Sequence, residues 1–344
     1  MENFENVWLV LNYNCNNKCK WCYASQQPSK IMSKEKACSI IDFLKELNLK
    51  RIILIGGEPT IREDLCDIVR YASKDKTKVG LCSNGRKLED VDLVKKLVDS
   101  GLHGVGISLE GPEEAHDKIT GMKGSYKQTV KGIENSVRLG LQTTTNTTIC
   151  EENSNCLDYL LNFQVDNHLF NVCGPCIGGV EDYSLTPTRA GEILRPFLKR
   201  NRDKNIRIVT PLPKCVLDNE TFEEHKATSK CEIYFGNNFS VDVDGGVIPC
   251  THLGGFPYFN LFENTNLISI EKFIEEYNNP NGMREQFRNK LWRYPSKECI
   301  SCDEEYSCLG GCPIFWLKND PKKELNKINN PEVKNGKESI RTGK

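Results

Sequence analysis

Through roughly the first two-thirds of the chain, short apolar runs alternate with longer amphipathic stretches. The runs at 7–12, 51–55, 78–82, 104–109, 143–149 and 168–172 predict strands. Between them, apolar residues recur at helical spacing. Over 33–49 they are Ala37, Ile40, Ile41, Leu44 and Leu47, with Ser33 placed to cap. Leu65, Ile68, Val69 and Ala72 repeat the pattern, as do Val91, Val94 and Leu97, then Val130, Ile133 and Val137. Six β/α units in succession predict an α/β fold with a parallel sheet and right-handed crossovers. A closed eight-unit barrel is the generic form of such a succession.

The rhythm stops after a last helix predicted near 188–201. Beyond Pro211-Leu212-Pro213 the chain turns irregular and rich in cysteine, glycine and aromatics, which places a boundary near residue 205 and two units, 1–205 and 206–320. From 321 to 344 the chain is Lys/Asn-rich with few apolar residues and reads as a solvated, disordered tail.

Basic and acidic residues nearly balance, 46 against 47, so charge draws the chain toward neither nucleic acid nor membrane. No apolar stretch approaches a transmembrane length, and Met1–Glu5 lacks the features of a signal peptide. A cytoplasmic protein is expected, a compartment where disulfides are rare. Seventeen cysteines, an odd number, therefore point to bound iron–sulfur clusters rather than a disulfide framework.

The most informative group is Cys15, Cys19 and Cys22, with three and two residues between them, just after the first predicted strand. Three thiolates on one loop can hold three irons of a cubane and leave the fourth open, unlike a four-cysteine cluster that fills every iron. A zinc knuckle is the alternative reading of the same residues. The spacing, with aromatic Trp21 before the third cysteine, resembles the signature of the radical SAM enzymes, in which S-adenosylmethionine takes the open iron.

That resemblance continues along the chain and implies a partial barrel of six β/α units. Gly56-Gly57-Glu58-Pro59 ends the second strand; by resemblance, Gly57 and Glu58 hold the methionyl end of S-adenosylmethionine. Ser83-Asn84-Gly85 closes the third strand, and Ser108-Leu109-Glu110-Gly111-Pro112 the fourth, continuing through His116-Asp117 to Gly121-Met122-Lys123-Gly124-Ser125-Tyr126. In the family an Asp usually stands where Glu110 does, and many members carry Arg at the place of Thr120. Ser108 is implied as a ribose or carboxylate contact, Ser83 and Trp21 as further cofactor contacts. Asn146 is either a cofactor contact or a structural polar residue. In the implied chemistry, the reduced cluster delivers one electron to the sulfonium, and the resulting 5′-deoxyadenosyl radical takes a hydrogen atom from the substrate.

In the second unit, thirteen residues separate Cys231 from Gly245 and four more separate Gly245 from Cys250. Cys299, Cys302, Cys308 and Cys312 follow with gaps of two, five and three. Taken alone, these pairs also suit zinc ribbons. Beside a radical SAM loop they resemble a SPASM domain, the carrier of auxiliary 4Fe–4S clusters. The resemblance implies Cys231, Cys250 and Cys312 as ligands of a first auxiliary cluster, with Cys215 as the fourth. It implies Cys299, Cys302 and Cys308 for a second. The family's final cysteine, after Cys312, is absent here, so the second cluster would have an open iron or an oxygen ligand such as Asp303, or would not assemble.

Cys173-Gly-Pro-Cys176 spells a thioredoxin-like dithiol outside a thioredoxin context and reads as structural. Cys38, Cys66, Cys82, Cys150 and Cys156 read as small buried residues. The five histidines show no metal-ligand spacing.

The resemblance implies a radical SAM/SPASM oxidoreductase with S-adenosylmethionine, one radical SAM cluster and one or two auxiliary clusters. Family members mostly modify peptides or proteins, by thioether or carbon–carbon crosslinks, decarboxylation or oxidation to formylglycine. A ribosomally made precursor peptide is the expected substrate, and flavodoxin or ferredoxin the expected electron donor. Because the first strand begins near residue 7, leader recognition would fall to the enzyme itself or a separate leader-binding protein. The alternative is a radical dehydrogenase or decarboxylase of a small molecule such as a sugar or cofactor precursor. A non-catalytic electron carrier is a third reading, opposed by the intact Gly56–Pro59 and Ser108–Gly111 stretches.

Overall fold

A computed structural model describes residues 4–175, 183–225, 227–232, 236–291, 299, 302–304 and 308–318. Cys176 and the polar tail lie outside the described residues. The six predicted strands are all present: β1 (Asn6–Val10), β2 (Arg51–Ile55), β3 (Lys78–Ser83), β4 (Gly104–Ser108), β5 (Gln142–Ile149) and β6 (Asn167–Val172). They pair in chain order, each parallel to the last, and β7 (Ile206–Ile208) joins the far edge in the same sense. Parallel pairing puts the C-terminal ends of β1–β6 along one edge, where α/β folds gather their functional loops.

The predicted helices form as α1 (Lys34–Glu46), α2 (Leu65–Ala72), α3 (Val91–Asp99), α5 (Ser125–Arg138) and α7 (Pro187–Arg200). Periodicity did not single out α4 (Glu113–Thr120) or the one-turn α6 (Leu157–Leu160). Ser33 caps α1, its hydroxyl accepting from the Lys36 N–H at 3.1 Å. Ile40, Ile41 and Leu44 on that helix pack fully buried against the β1 residues Val7 and Leu9 and the β2 residues Ile52 and Leu54 in one core. Among the described residues, no helix is long and apolar enough to cross a membrane.

The sheet does not stop at the boundary expected near residue 205. After α8 (Asn219–Glu224), strand β8 (Asn238–Val241) pairs parallel with β1, Asn6 opposite Asn238 and Leu9 opposite Val241. Antiparallel β9 (Gly246–Ile248) and β10 (Phe259–Asn260) extend it outward, giving ten strands in the order β10-β9-β8-β1-β2-β3-β4-β5-β6-β7. A separate hairpin, β11 (Phe262–Glu263) with β12 (Asn266–Leu267), leads to α9 (Ile270–Asn278) and α10 (Met283–Leu291); α11 (Phe315–Lys318) ends the described chain.

Aromatic packing fastens this extension. Phe4 meets Phe239 of β8 at 5.3 Å and Tyr277 of α9 at 5.3 Å, both edge-on, while Phe273 of α9 meets Phe43 of α1 at 5.4 Å. Each ring is nearly or fully buried, so the knot joins the N-terminal segment and α1 to β8 and α9 through apolar area and favourable ring geometry. Phe273→Ala should destabilise the fold by about 3–5 kcal/mol. Urea unfolding followed by circular dichroism should show one transition, shifted as a whole; loss of an early, partial transition alone would show that the C-terminal unit is only loosely attached.

Candidate functional site

The cysteine loop leaves β1 and is held from three sides. From β2, the Gly57 N–H donates to the Asn12 carbonyl at 2.7 Å and the Glu58 N–H to the Asn14 carbonyl at 2.8 Å. A Cβ on Gly57 would lie 2.4 Å from the carbonyl oxygens of Tyr13 and Asn14, so only glycine permits this approach. From β3, the Asn84 amide donates to Asn16 Oδ1 at 2.7 Å, and the Arg86 guanidinium donates to the Asn16 carbonyl and to Asn17 Oδ1 at 3.0 Å. From the end of α4, the carbonyls of Thr120 and Ile119 accept from Lys18 at 2.9 Å and Lys20 at 3.3 Å. Buried Arg62 braces the loop's base, donating to Leu11 and Met32 carbonyls while paired with Asp64.

Cys15, Cys19 and Cys22 are thereby set as neighbours. Burial pushes the Cys15 thiol up to about 11, with Glu58 and Cys22 adding to the rise. Burial also raises Cys19, reinforced by Glu110, Cys22 and Cys15, and burial raises Cys22. Thiols so placed repel one another's negative charge until a cation neutralises it. Two donors already point at sulfur: the Asn17 N–H at 3.3 Å and the Asn84 amide at 3.8 Å from Cys15 Sγ. Among the described residues, no three Cys, His, Asp or Glu converge as single-ion ligands. Three thiols on one loop, with N–H donors already aimed at a sulfur, fit an iron–sulfur cluster, whose thiolates bind separate irons.

The Glu58 carboxylate is buried in a cage of donors. Its Oε1 accepts from the Thr60 N–H at 3.0 Å, the Thr60 hydroxyl at 2.6 Å and the Ser83 hydroxyl at 2.8 Å; Oε2 accepts from the Asn84 N–H at 2.7 Å. Burial still leaves its pKa raised, although each of those donors lowers it. Glu58 and Ser83 therefore brace the ends of β2 and β3 against each other, and Oε2 keeps capacity to accept from an ammonium. The Ser83 hydroxyl also accepts from the Gly85 N–H at 2.9 Å.

Asp117 caps α5, accepting from the N–H groups of Gly124 and Tyr126 and from the Ser125 hydroxyl. Burial would raise its pKa, but those donors hold it below the usual value. Thr120 bonds to the His116 carbonyl at 2.9 Å and to the Ser125 hydroxyl at 2.7 Å, closing the turn that docks on the cysteine loop. The His-Asp…Gly-Ser-Tyr stretch thus acts as a helix junction.

Glu110 is buried with one donor to its carboxylate, the Thr148 N–H at 2.8 Å, and burial raises its pKa to about 8. The Glu110 N–H donates to His116 Nδ1 at 3.1 Å, and burial holds that imidazole down to about 4. Ser108 and Asn146 stand opposite each other where β4 and β5 pair. Among the described residues, Asn12 Oδ1, Asn146 Oδ1 and His116 Nε2 are buried without a hydrogen-bond partner. Such orphans near the loop end of the strands suit a polar ligand such as S-adenosylmethionine. Trp21 lies 6.1 Å from the Tyr183 ring and packs on buried Ile119, Cys150 and Cys173.

The C-terminal unit presses on this site. Tyr23, next to Cys22, meets the His252 ring at 5.2 Å; Gln27 donates to the Gly254 carbonyl at 3.1 Å, and Lys30 pairs with Asp244. Cys231 and Cys250 share a small apolar cluster with Leu253, Phe287 and Leu309. Cys312 lies on the segment whose N–H donates to the Pro211 carbonyl at 2.8 Å. The resemblance implies Cys215 with these three; in the structure its thiol lies within electrostatic reach of Cys308, Cys299 and Cys302. Although residue 215 is exposed, the protein packed around its sulfur pushes the thiol up to about 12, and those three cysteines add to the rise. Asn12, Arg62, Asn84 and Arg86 escaped sequence reasoning; the Asx-type Asn84-Gly85 turn at a strand end was the available signal.

Residues 9–163 match the Radical SAM superfamily. That segment is a radical SAM domain, a class that carries a 4Fe–4S cluster and S-adenosylmethionine. Among curated relatives, the Fe-coproporphyrin III synthase of Methanosarcina barkeri is 32% identical over 170 residues, 48% of this chain and 42% of that protein. The chain spans 42%, 38% and 57% of the lengths of the curated relatives it first matches. Among solved structures, Streptococcus suis SuiB bound to S-adenosylmethionine aligns over 93% of this chain and 76% of its own, with a TM-score of 0.70 at 16% identity. Native anSMEcpe with bound AdoMet and Cp18Cys peptide aligns over 96% and 98%, with a TM-score of 0.67 at 20% identity. The fold is the α/β radical SAM fold.

A pH dependence follows from His116. Its folded pKa lies below the ordinary 6.5, so between about 6.5 and 4 the unfolded chain binds the proton and stability falls as pH drops. From pH 6.5 to 5 this loss amounts to about 1.5 kcal/mol. In urea titrations at the two pH values, His116→Asn should lack that increment; parallel curves for variant and wild type would contradict it.

Proposed function

We propose that the chain is a radical S-adenosylmethionine oxidoreductase that takes a hydrogen atom from a peptide substrate. When bound, the reduced cluster and S-adenosylmethionine supply the 5′-deoxyadenosyl radical. Cys15, Cys19 and Cys22 hold the cluster, and Asn84 and Asn17 donate to its sulfur ligand. Gly57 and Glu58 would hold the methionyl end, and Ser108, with the unpartnered Asn146 Oδ1 opposite it on β5, would offer further polar contacts to S-adenosylmethionine. Trp21 and Tyr183 form an apolar wall that limits water.

Likeness over the whole chain carries the peptide assignment. SuiB and anSMEcpe match over 93% and 96% of this chain, and SuiB has been solved bound to the precursor peptide SuiA and anSMEcpe with a Cp18Cys peptide. That unit reads as a SPASM domain with auxiliary 4Fe–4S clusters, and flavodoxin or ferredoxin is the reductant. The second reading, a small-molecule substrate, draws on the 32% identity to Fe-coproporphyrin III synthase, which is confined to 48% of the chain.

Anaerobically reconstituted protein, given dithionite and S-adenosylmethionine, should release 5′-deoxyadenosine. Changing Cys15, Cys19 and Cys22 together to Ala should abolish that release and remove about four irons. Incubated with a short Cys-, Ser- or Thr-rich peptide encoded beside the gene, the wild type should change the peptide's mass. An unchanged peptide together with turnover of an iron tetrapyrrole would favour the second reading, and stoichiometric zinc without iron–sulfur absorption would refute both.

A further inference from the structure

The chain between α7 and α8 is laid along the last cysteine run. The Cys312 N–H donates to the Pro211 carbonyl at 2.8 Å, and a Cβ on Gly311 would fall 2.7 Å from the Pro213 ring. Directly after Pro213, the Lys214 N–H donates to Cys308 Sγ at 3.2 Å, and the Lys214 ammonium pairs with Glu304 at 2.7 Å. Within the run, the Cys302 N–H donates to the Cys299 carbonyl at 3.2 Å and the Cys308 N–H to the Glu304 carbonyl at 2.8 Å. Cys215, in the short turn Lys214–Val216, is thereby carried to the same place, within electrostatic reach of Cys308, Cys299 and Cys302.

We propose that Cys215, Cys299, Cys302 and Cys308 are the four ligands of one 4Fe–4S cluster, with Cys215 replacing the cysteine that the end of the chain lacks. The assignment rests on the reading of the 206–320 unit as an iron–sulfur carrier. It replaces the open, Asp303-ligated or unassembled second cluster that the family resemblance implied. Each thiol gives up its proton on binding iron. Four thiolates fill every iron, which makes this centre an electron-transfer site unable to take a substrate thiolate. The Lys214 N–H aimed at Cys308 sulfur, with the Lys214–Glu304 ion pair beside it, supplies the outer contacts that orient ligands and set the potential.

The test uses the full chain, reconstituted anaerobically with iron and sulfide, and reads iron, acid-labile sulfide and zinc per chain together with the EPR of the reduced protein. With Cys231, Cys250 and Cys312 changed to Ala, adding Cys215→Ala should lower the iron content and alter the remaining auxiliary signal. Cys215→Ser, which keeps an oxygen ligand, should retain more iron with a shifted signal and controls for folding. With Cys299, Cys302 and Cys308 changed to Ala, adding Cys215→Ala should leave both iron content and signal unchanged. The reverse pattern would assign Cys215 to Cys231, Cys250 and Cys312 and overturn the proposal. Zinc in place of iron and sulfide would also overturn it. A wild type binding only about four irons would refute the auxiliary-cluster reading itself, before any change at Cys215.

Discussion

Two backbone hydrogen bonds tie the end of β2 to the chain entering the cysteine loop, Gly57 to Asn12 and Glu58 to Asn14. They require the two chains to touch, and the 2.4 Å gap at Gly57 leaves no room for a side chain. Once they form, the loop's start is fixed relative to the sheet. Asn84 and Arg86 can then reach it from β3, and the end of α4 can close on Lys18 and Lys20. Three thiols within one another's field are costly to ionise, so a loop free to move would separate them. Anchoring at several points keeps them gathered before a cluster arrives, which is preorganisation in the sense that governs metal and catalytic sites.

The same arrangement explains how the C-terminal unit bears on the loop. Strand β8 adds to β1, the strand from which the cysteine loop springs, and β9 and β10 build outward from it. Contacts from this extension fall on the loop's far side, at Tyr23, Gln27 and Lys30. His252, two residues beyond Cys250, is the partner of Tyr23, one residue beyond Cys22. The aromatic knot of Phe4, Phe239, Phe273 and Tyr277 keeps the two halves in register, so the cysteine groups of both belong to one packed body.

Local periodicity was sufficient to read β1–β6 and the longer helices, because each buries one face and repeats at its own period. It could not show β8 pairing with β1, since that contact joins residues 232 apart and depends on which edge of the sheet stays open. Gly56-Gly57-Glu58-Pro59 was legible as a motif, but its physical reason was not: the glycines admit the cysteine loop, and the carboxylate braces β2 against β3. The His116-to-Tyr126 stretch resembles a family signature, and its polar groups serve to cap α5 and to fill a buried turn. Cysteine spacing conveyed which thiols lie close along the chain. It could not convey that Cys215 crosses to the run beginning at Cys299, a meeting made by the 211–214 segment.

The central claim is that this fold gathers Cys15, Cys19 and Cys22 at the C-terminal ends of β1–β3 to hold an iron cluster. Crystals of the anaerobically reconstituted protein, with diffraction recorded on either side of the iron absorption edge, would test it most directly. The account predicts an anomalous iron peak enclosed by those three sulfurs, with Asn84 and Arg86 still bonded to Asn16. Iron density confined to other cysteines, or a peak at a loop detached from Gly57 and Asn84, would contradict it.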